Sequence, residues 1–115
     1  MQLILREGCD AMYGGGHYFA RSRIIAFASQ HRLPAIYPFR EFVEDGGLMS
    51  YGPDVVHDNV LAAELFDRIL RGAKPADLPI QQLHRFDLVI NRRTAEALGL
   101  TIPPVILARA DELIE

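Results

Sequence analysis

The chain has little with which to cross-link, coordinate a metal or enter a membrane. Its single cysteine, Cys9, excludes an internal disulfide and leaves the redox compartment unread. The four histidines, His17, His31, His57 and His84, are too far apart for a compact zinc motif, so no metal is expected. No apolar run approaches the roughly 20 residues that a membrane span needs. Charge of one sign is also scarce. Twelve Lys and Arg stand against 15 Asp and Glu, a net charge of -3, with no basic block to hold nucleic acid. The opening residues MQLILREG lack a basic lead, an apolar run of useful length and a small-residue cleavage site. They do not read as a signal peptide, and on that reading the chain is cytoplasmic as given, or a fragment.

What remains is an ordinary globular composition over 115 residues, 50% hydrophobic and 23% charged, with room for one domain. Asp10 to Tyr13 is a short apolar run stopped by Gly14-Gly15-Gly16, which predicts a buried strand ending in a loop. From Ala20 to Arg32, Ile24, Ile25, Phe27 and Ala28 recur at helical spacing. Pro34 ends that helix, and Ala35-Ile36-Tyr37 reads as a second strand cut off by Pro38. A strand-helix-strand unit of this length implies parallel strands with a right-handed crossover. Phe39 to Asp45 has the makings of one helical turn. Leu48 to Tyr51 is a third strand, closed by Gly52-Pro53. Pro53 fits the first turn of a long helix running to Arg71, with Gly72 as its C-terminal cap. Phe86 to Ile90 is the strongest strand signal, and Asn91 caps a helix from Arg92 to Leu98. Val105 to Glu115 is a short helix or an irregular tail. The whole reads α/β, with four or five strands alternating with helices.

Few residues carry chemistry. Gly14 to His17 lies between a strand and a helix, where backbone N–H groups can hold a phosphate. It lacks both Gly-x-Gly-x-x-Gly and Gly-Lys-Ser/Thr, so a tight connecting loop is the better account. His17 as a base would need a nucleophile and an orienting acid, and Ser22, Ser29 and Ser50 sit in no nucleophile turn. Glu41, Glu44 and Asp45 read as a solvated turn. Tyr37 and Tyr51 fall at strand ends, and Gly14 to Tyr18 lies beyond another. In open α/β sheets ligands sit beyond the carboxyl ends of the strands, so these loops form a candidate binding edge. The other reading of the aromatics, as core and rim, weighs equally with it.

Longer stretches carry a resemblance. HRLPAIYPFREFVEDGGLMSYGPD (His31 to Asp54), ILRGAKPADLPIQQ (Ile69 to Gln82), FDLVINRRTAEALGLTIPP (Phe86 to Pro104) and LARADELIE (Leu107 to Glu115) are similar to ABC transporter substrate-binding proteins of the tryptophan/tyrosine-binding type. The similarity runs in order from Asp10 to the C-terminus, over the last third of such proteins. It implies a partial periplasmic-binding-protein-like (type I) three-layer αβα fold, with parallel strands and crossover helices. Residues 1–52 would end the second lobe, and 53–115 would supply a return helix, a strand and a tail for the first lobe. The implied function is non-catalytic: a small organic solute such as an amino acid is held between two lobes and delivered to an ABC permease. No cofactor is implied, and the family is periplasmic or lipid-anchored.

His17, Tyr18, Tyr37, Phe39, Ser50 and Tyr51 fall on the candidate binding edge and are the expected ligand side, and the resemblance implies Gly52-Pro53 as the hinge. Relatives carry an acidic residue in the loop that here is Gly14-Gly15-Gly16-His17. The apolar stripe on the long helix implies a cover, from a second copy by domain swapping or from a separate partner chain. The alternative readings are a non-binding remnant or subunit of such an assembly, and a small enzyme built around His17.

Overall fold

The computed structural model describes residues 1–15, 17–82 and 85–115. Gly16 of the glycine turn and His84 lie outside the described residues. In chain order the helices are α1 (Gln2–Arg6), α2 (Arg21–Gln30), α3 (Arg40–Glu44), α4 (Val55–Leu70), α5 (Arg92–Ala97) and α6 (Pro104–Leu107). The strands are β1 (Met12–Tyr13), β2 (Ala35–Tyr37), β3 (Met49–Pro53), β4 (Phe86–Asn91) and β5 (Glu112–Ile114), with 3-10 turns at Tyr18–Ala20 and Pro75–Asp77. The mixed α/β class read from the sequence is the class observed.

The strands form one sheet in the order β1-β2-β3-β4-β5. β1, β2 and β3 are parallel, with Met12 beside Ala35, Tyr13 beside Ile36, and Tyr37 beside Ser50. β4 and β5 are parallel to each other. Asn91 N–H, at the end of β4, donates to Leu48 O just before β3, so β4 runs opposite to β3. The edge where β1 to β3 finish is therefore the edge where β4 and β5 begin.

Two compact units result, residues 1–52 with 87–115, and residues 53–86. The sequence expectation divides the chain once, after Gly52. The structure adds a second division after Phe86, because β4 pairs alongside β3 and carries 87–115 back to the first unit.

The core of the first unit is Ile24, Ile25 and Ala28 from α2, Ala35 and Tyr37 from β2, and Phe42 from α3. Met12, Ala20 and Phe39 pack against it. The buried Ile and Phe side chains among these contribute about 1.5–3 kcal/mol each. The strand period sorts the rest. Ala35, Tyr37, Leu48 and Ser50 face the helices and are buried, whereas Tyr13 and Tyr51 point to the other side and are exposed.

Two local expectations differ. Pro53 does not open α4 but ends β3, and Asp54 is the cap, its carboxylate accepting from His57 N–H at 3.1 Å. The C-terminal stretch is both a helix and a strand. Leu88 N–H donates to the Asp111 carboxylate at 2.7 Å, and Asp111 N–H donates to Leu88 O at 2.9 Å. That reciprocal pair docks β5 on β4. A three-residue strand shows too little alternation to be legible beforehand.

The second unit is a single 16-residue helix with its connection, and no residue of α4 is buried. Val56, Val60, Phe66 and Leu70 are all exposed.

Candidate functional site

Two segments follow the parallel strands at one edge: Gly14, Gly15, His17 and Tyr18 after β1, and Pro38 to Arg40 after β2, with Gly52 of β3 against Pro38. That edge is the expected ligand position in an open α/β sheet. Backbone geometry builds the first segment. Gly15 N–H donates to Tyr13 O, His17 N–H to Gly15 O at 2.7 Å, and Ala20 N–H to His17 O at 2.9 Å. The chain thus turns tightly into the 3-10 turn that leads to α2. His17 is exposed at its start, and its side chain makes no capping bond.

Tyr18 is the centre of an aromatic ledge. It is 40% exposed, and its ring lies edge-on to Phe19, Phe39 and Phe42 at centroid distances of 6.3, 6.1 and 6.4 Å. The Arg21 guanidinium sits 4.6 Å from the Tyr18 ring centroid and pairs with Asp45. The hydrogen bond that Arg21 donates to Asp45 raises the Arg21 pKa, so this cation stays charged. Phe39 is half-buried in extended backbone at the head of α3. Arg40, next to it, bonds Glu44 at 2.8 Å and Glu112 at the start of β5 at 2.9 Å. It ties α3 to the last strand.

The six expected ligand residues do not gather at one point. Tyr18 and Phe39 meet, with His17 adjacent in the chain. Tyr37 is 1% exposed, and its ring stacks on Phe42 at 4.8 Å and 17°. It fills the space that a side chain at Gly14 or Gly47 would need. Burial pushes its phenol pKa up to about 12. Ser50 is 2% exposed, beside Tyr37 in the sheet. These two lie under the edge, on the helix-covered face. Tyr51, 55% exposed, points to the opposite face.

Gly52 is fixed by contact. A Cβ there would strike the carbonyl oxygen of Pro38, so the two backbones cross closely where β2 and β3 end. Phe19, Arg21 and Arg40 belong to the same edge and escaped the sequence reading. Their only signal was proximity to the glycine loop and to Pro38.

The arrangement offers stacking faces, a guanidinium and backbone N–H groups. Among the described residues no group of three His, Cys, Asp or Glu could hold a metal. Among the same residues no helix is long and apolar enough to cross a membrane.

The comparisons converge on one family. The model described as ABC transporter substrate binding protein matches residues 16–114. A conserved domain protein from Vibrio cholerae O1 biovar El Tor superposes with a TM-score of 0.87 at 34% identity, over 97% of this chain and 38% of its own. An ABC domain from Streptococcus pneumonia in complex with L-Trp gives 0.83 at 27% identity, over 96% and 40%. A substrate binding protein with adhesive properties from Clostridium difficile, in a ligand-free open structure, gives 0.58 at 21% identity over 84% and 32%, a likeness of fold alone. No curated protein matches the chain. The chain therefore spans about two-fifths of the length of the structures it matches, at 38% and 40% of the first two. With residues 16–114 matched by the family model, the chain belongs to the ABC transporter substrate binding protein family.

Proposed function

We propose that this chain is the solute-contacting portion of an importer receptor, taking a small organic solute of the aromatic amino acid type at the carboxyl edge of β1 to β3. The observation that carries the reading is the aromatic ledge of Tyr18, Phe19 and Phe39 at the edge where an open α/β sheet binds ligands. A relative 27% identical was solved with L-Trp, which supports an aromatic amino acid. In this reading Tyr18 and Phe39 stack on the solute, and His17 and nearby backbone N–H groups meet its polar end. Tyr51 contacts it from the other side of the sheet edge. Tyr37 and Ser50 hold the ledge from below. Gly52-Pro53 is the hinge, and the division of the compact units between these two residues supports that role. No catalytic step is involved, and the partner is an ABC permease at an extracytoplasmic face.

Isothermal titration of the chain with L-Trp, L-Tyr and L-Phe tests this. Saturable heat at one site per chain, lost on Tyr18→Ala, is expected. A folded chain that gives no heat with any of the three sinks the reading.

A second reading has its own observation. An isolated 16-residue helix with no buried residue is marginal in water, and α4 exposes Val56, Val60, Phe66 and Leu70. In this reading α4 packs on a partner surface, either a second copy exchanging the same element or a separate chain. Light scattering during size exclusion decides it: a mass above 12.9 kDa is expected at micromolar concentration, and a stable monomer counts against it.

A further inference from the structure

We propose that the first unit carries a second, separate site for a small oxyanion, a phosphate or carboxylate held between Arg32 and Arg93. The two side chains line one cavity of about 260 Å³ with Ser29, Thr94, Ala97 and Leu98. It opens where β2 and β3 begin, because Arg32 and Gly46 lie three residues ahead of those strands. The solute edge is at their other end.

The charge of the cavity is one-sided. Two guanidinium groups line it and no carboxylate does. Several arginines of this unit are engaged: Arg21 with Asp45, Arg40 with Glu44 and Glu112, and Arg92 with Glu115. Among the described residues Arg32 and Arg93 have no such partner. Guanidinium forks match oxyanions of trigonal or tetrahedral shape. The Ser29 hydroxyl adds a donor. The Thr94 hydroxyl donates to Gly46 O at 3.0 Å and fixes one wall. Ala97 and Leu98 supply an apolar floor for the body of a small ligand.

The backbone of Arg32 makes an independent case. α2 ends with Arg32 N–H donating to Ser29 O and Leu33 N–H donating to Ala28 O, a Schellman turn whose next-to-last residue must be left-handed. α1, α3, α4 and α5 close with the same pair of bonds, and there the left-handed position is Gly8, Gly46, Gly72 and Gly99. Only α2 places a side chain there, Arg32 at φ 51°. A β-carbon in that region is strained. Strain kept where glycine serves four times elsewhere in the same chain points to a use for the side chain.

Titration calorimetry with inorganic phosphate, glycerol phosphate and acetate, at ionic strength held constant with chloride, tests the site. Saturable binding of at least one is expected. Preference for the ester identifies an organic phosphate, preference for inorganic phosphate the free ion, and preference for acetate a carboxylate ligand. Arg93→Gln should weaken binding roughly tenfold or more. Arg32→Gly should weaken it as much, yet leave the anion-free chain melting no lower than the parent, since glycine suits the turn. The proposal is overturned if no anion binds beyond the chloride control, or if both variants bind like the parent. L-Trp heats at the solute edge serve as a separate readout and should not change in either variant.

Discussion

At the scale of single residues, close contacts fix which side chain fits. Gly52 faces the Pro38 carbonyl, so Gly52→Ala must move two strand ends apart. A loss of about 1–3 kcal/mol is expected in urea unfolding, the range for overpacking a tight site. Tyr37 makes a prediction in pH. Its folded pKa is raised from 10.0 to about 12 by burial, so the folded chain holds the phenol proton more tightly than the unfolded chain. Stability is then unaffected by this group below pH 10 and falls as pH rises from 10 towards 12, by up to about 2–3 kcal/mol. Urea midpoints measured from pH 8 to 11.5 should show that fall, and Tyr37→Phe should flatten it. The sequence reading recognised that Tyr37 sat at a strand end. It could not tell whether the ring faced ligand or core, because that depends on which sheet face α2 and α3 cover. Ser50 was ambiguous for the same reason.

Elements were more legible than side-chain directions. α2 was visible in its apolar spacing, β2 between two prolines, and α5 in its Asn91 start and Gly99 stop. Asn91 does two jobs. Its side-chain oxygen accepts from Thr94 N–H at 3.0 Å, and its amide nitrogen donates to Val43 O at 3.2 Å. Asn91→Ala should cost about 2–3 kcal/mol, a cap plus a buried bond to the α3 backbone. Asn91→Asp keeps the cap but sets a buried carboxylate oxygen against Val43 O, so its urea midpoint should also fall below that of the parent. Asp54→Ala, which removes the α4 cap and a long, exposed ion pair to Arg85, should cost about 1 kcal/mol, nearly all of it from the cap. β5 was illegible because its three residues are placed by the Asp111 pairing with Leu88, a long-range contact. The expected place of Pro53 in α4 failed for a local reason: Asp54 is the better cap, and a proline at the end of a strand gives up little.

At the scale of the molecule, family and class were carried by long stretches of matching sequence, whereas the arrangement of the chain was not. The sequence places the strand at 86–90 with the long helix. The sheet instead brings β4 back beside β3, and only 53–86 forms the second unit. Antiparallel return of this kind has no sequence signature, since a helix of 16 residues can end beside either neighbour of the strand it left. The unburied stripe of α4 makes the molecule's state of assembly measurable. Replacing Phe66 and Leu70 with Lys should lower any mass above the monomer seen by light scattering, and should leave the urea midpoint of the first unit within about 0.5 kcal/mol of the parent.

The central claim is that the edge beyond β1, β2 and β3 meets the solute. An amide-resolved NMR titration with L-Trp tests it most directly. The account predicts saturable shifts confined to Tyr13 to Tyr18, Phe39 to Arg40 and Tyr51 to Asp54, with Arg32 and Thr94 at the far edge unmoved. Shifts centred elsewhere on a folded chain, or none at saturating solute, would contradict it.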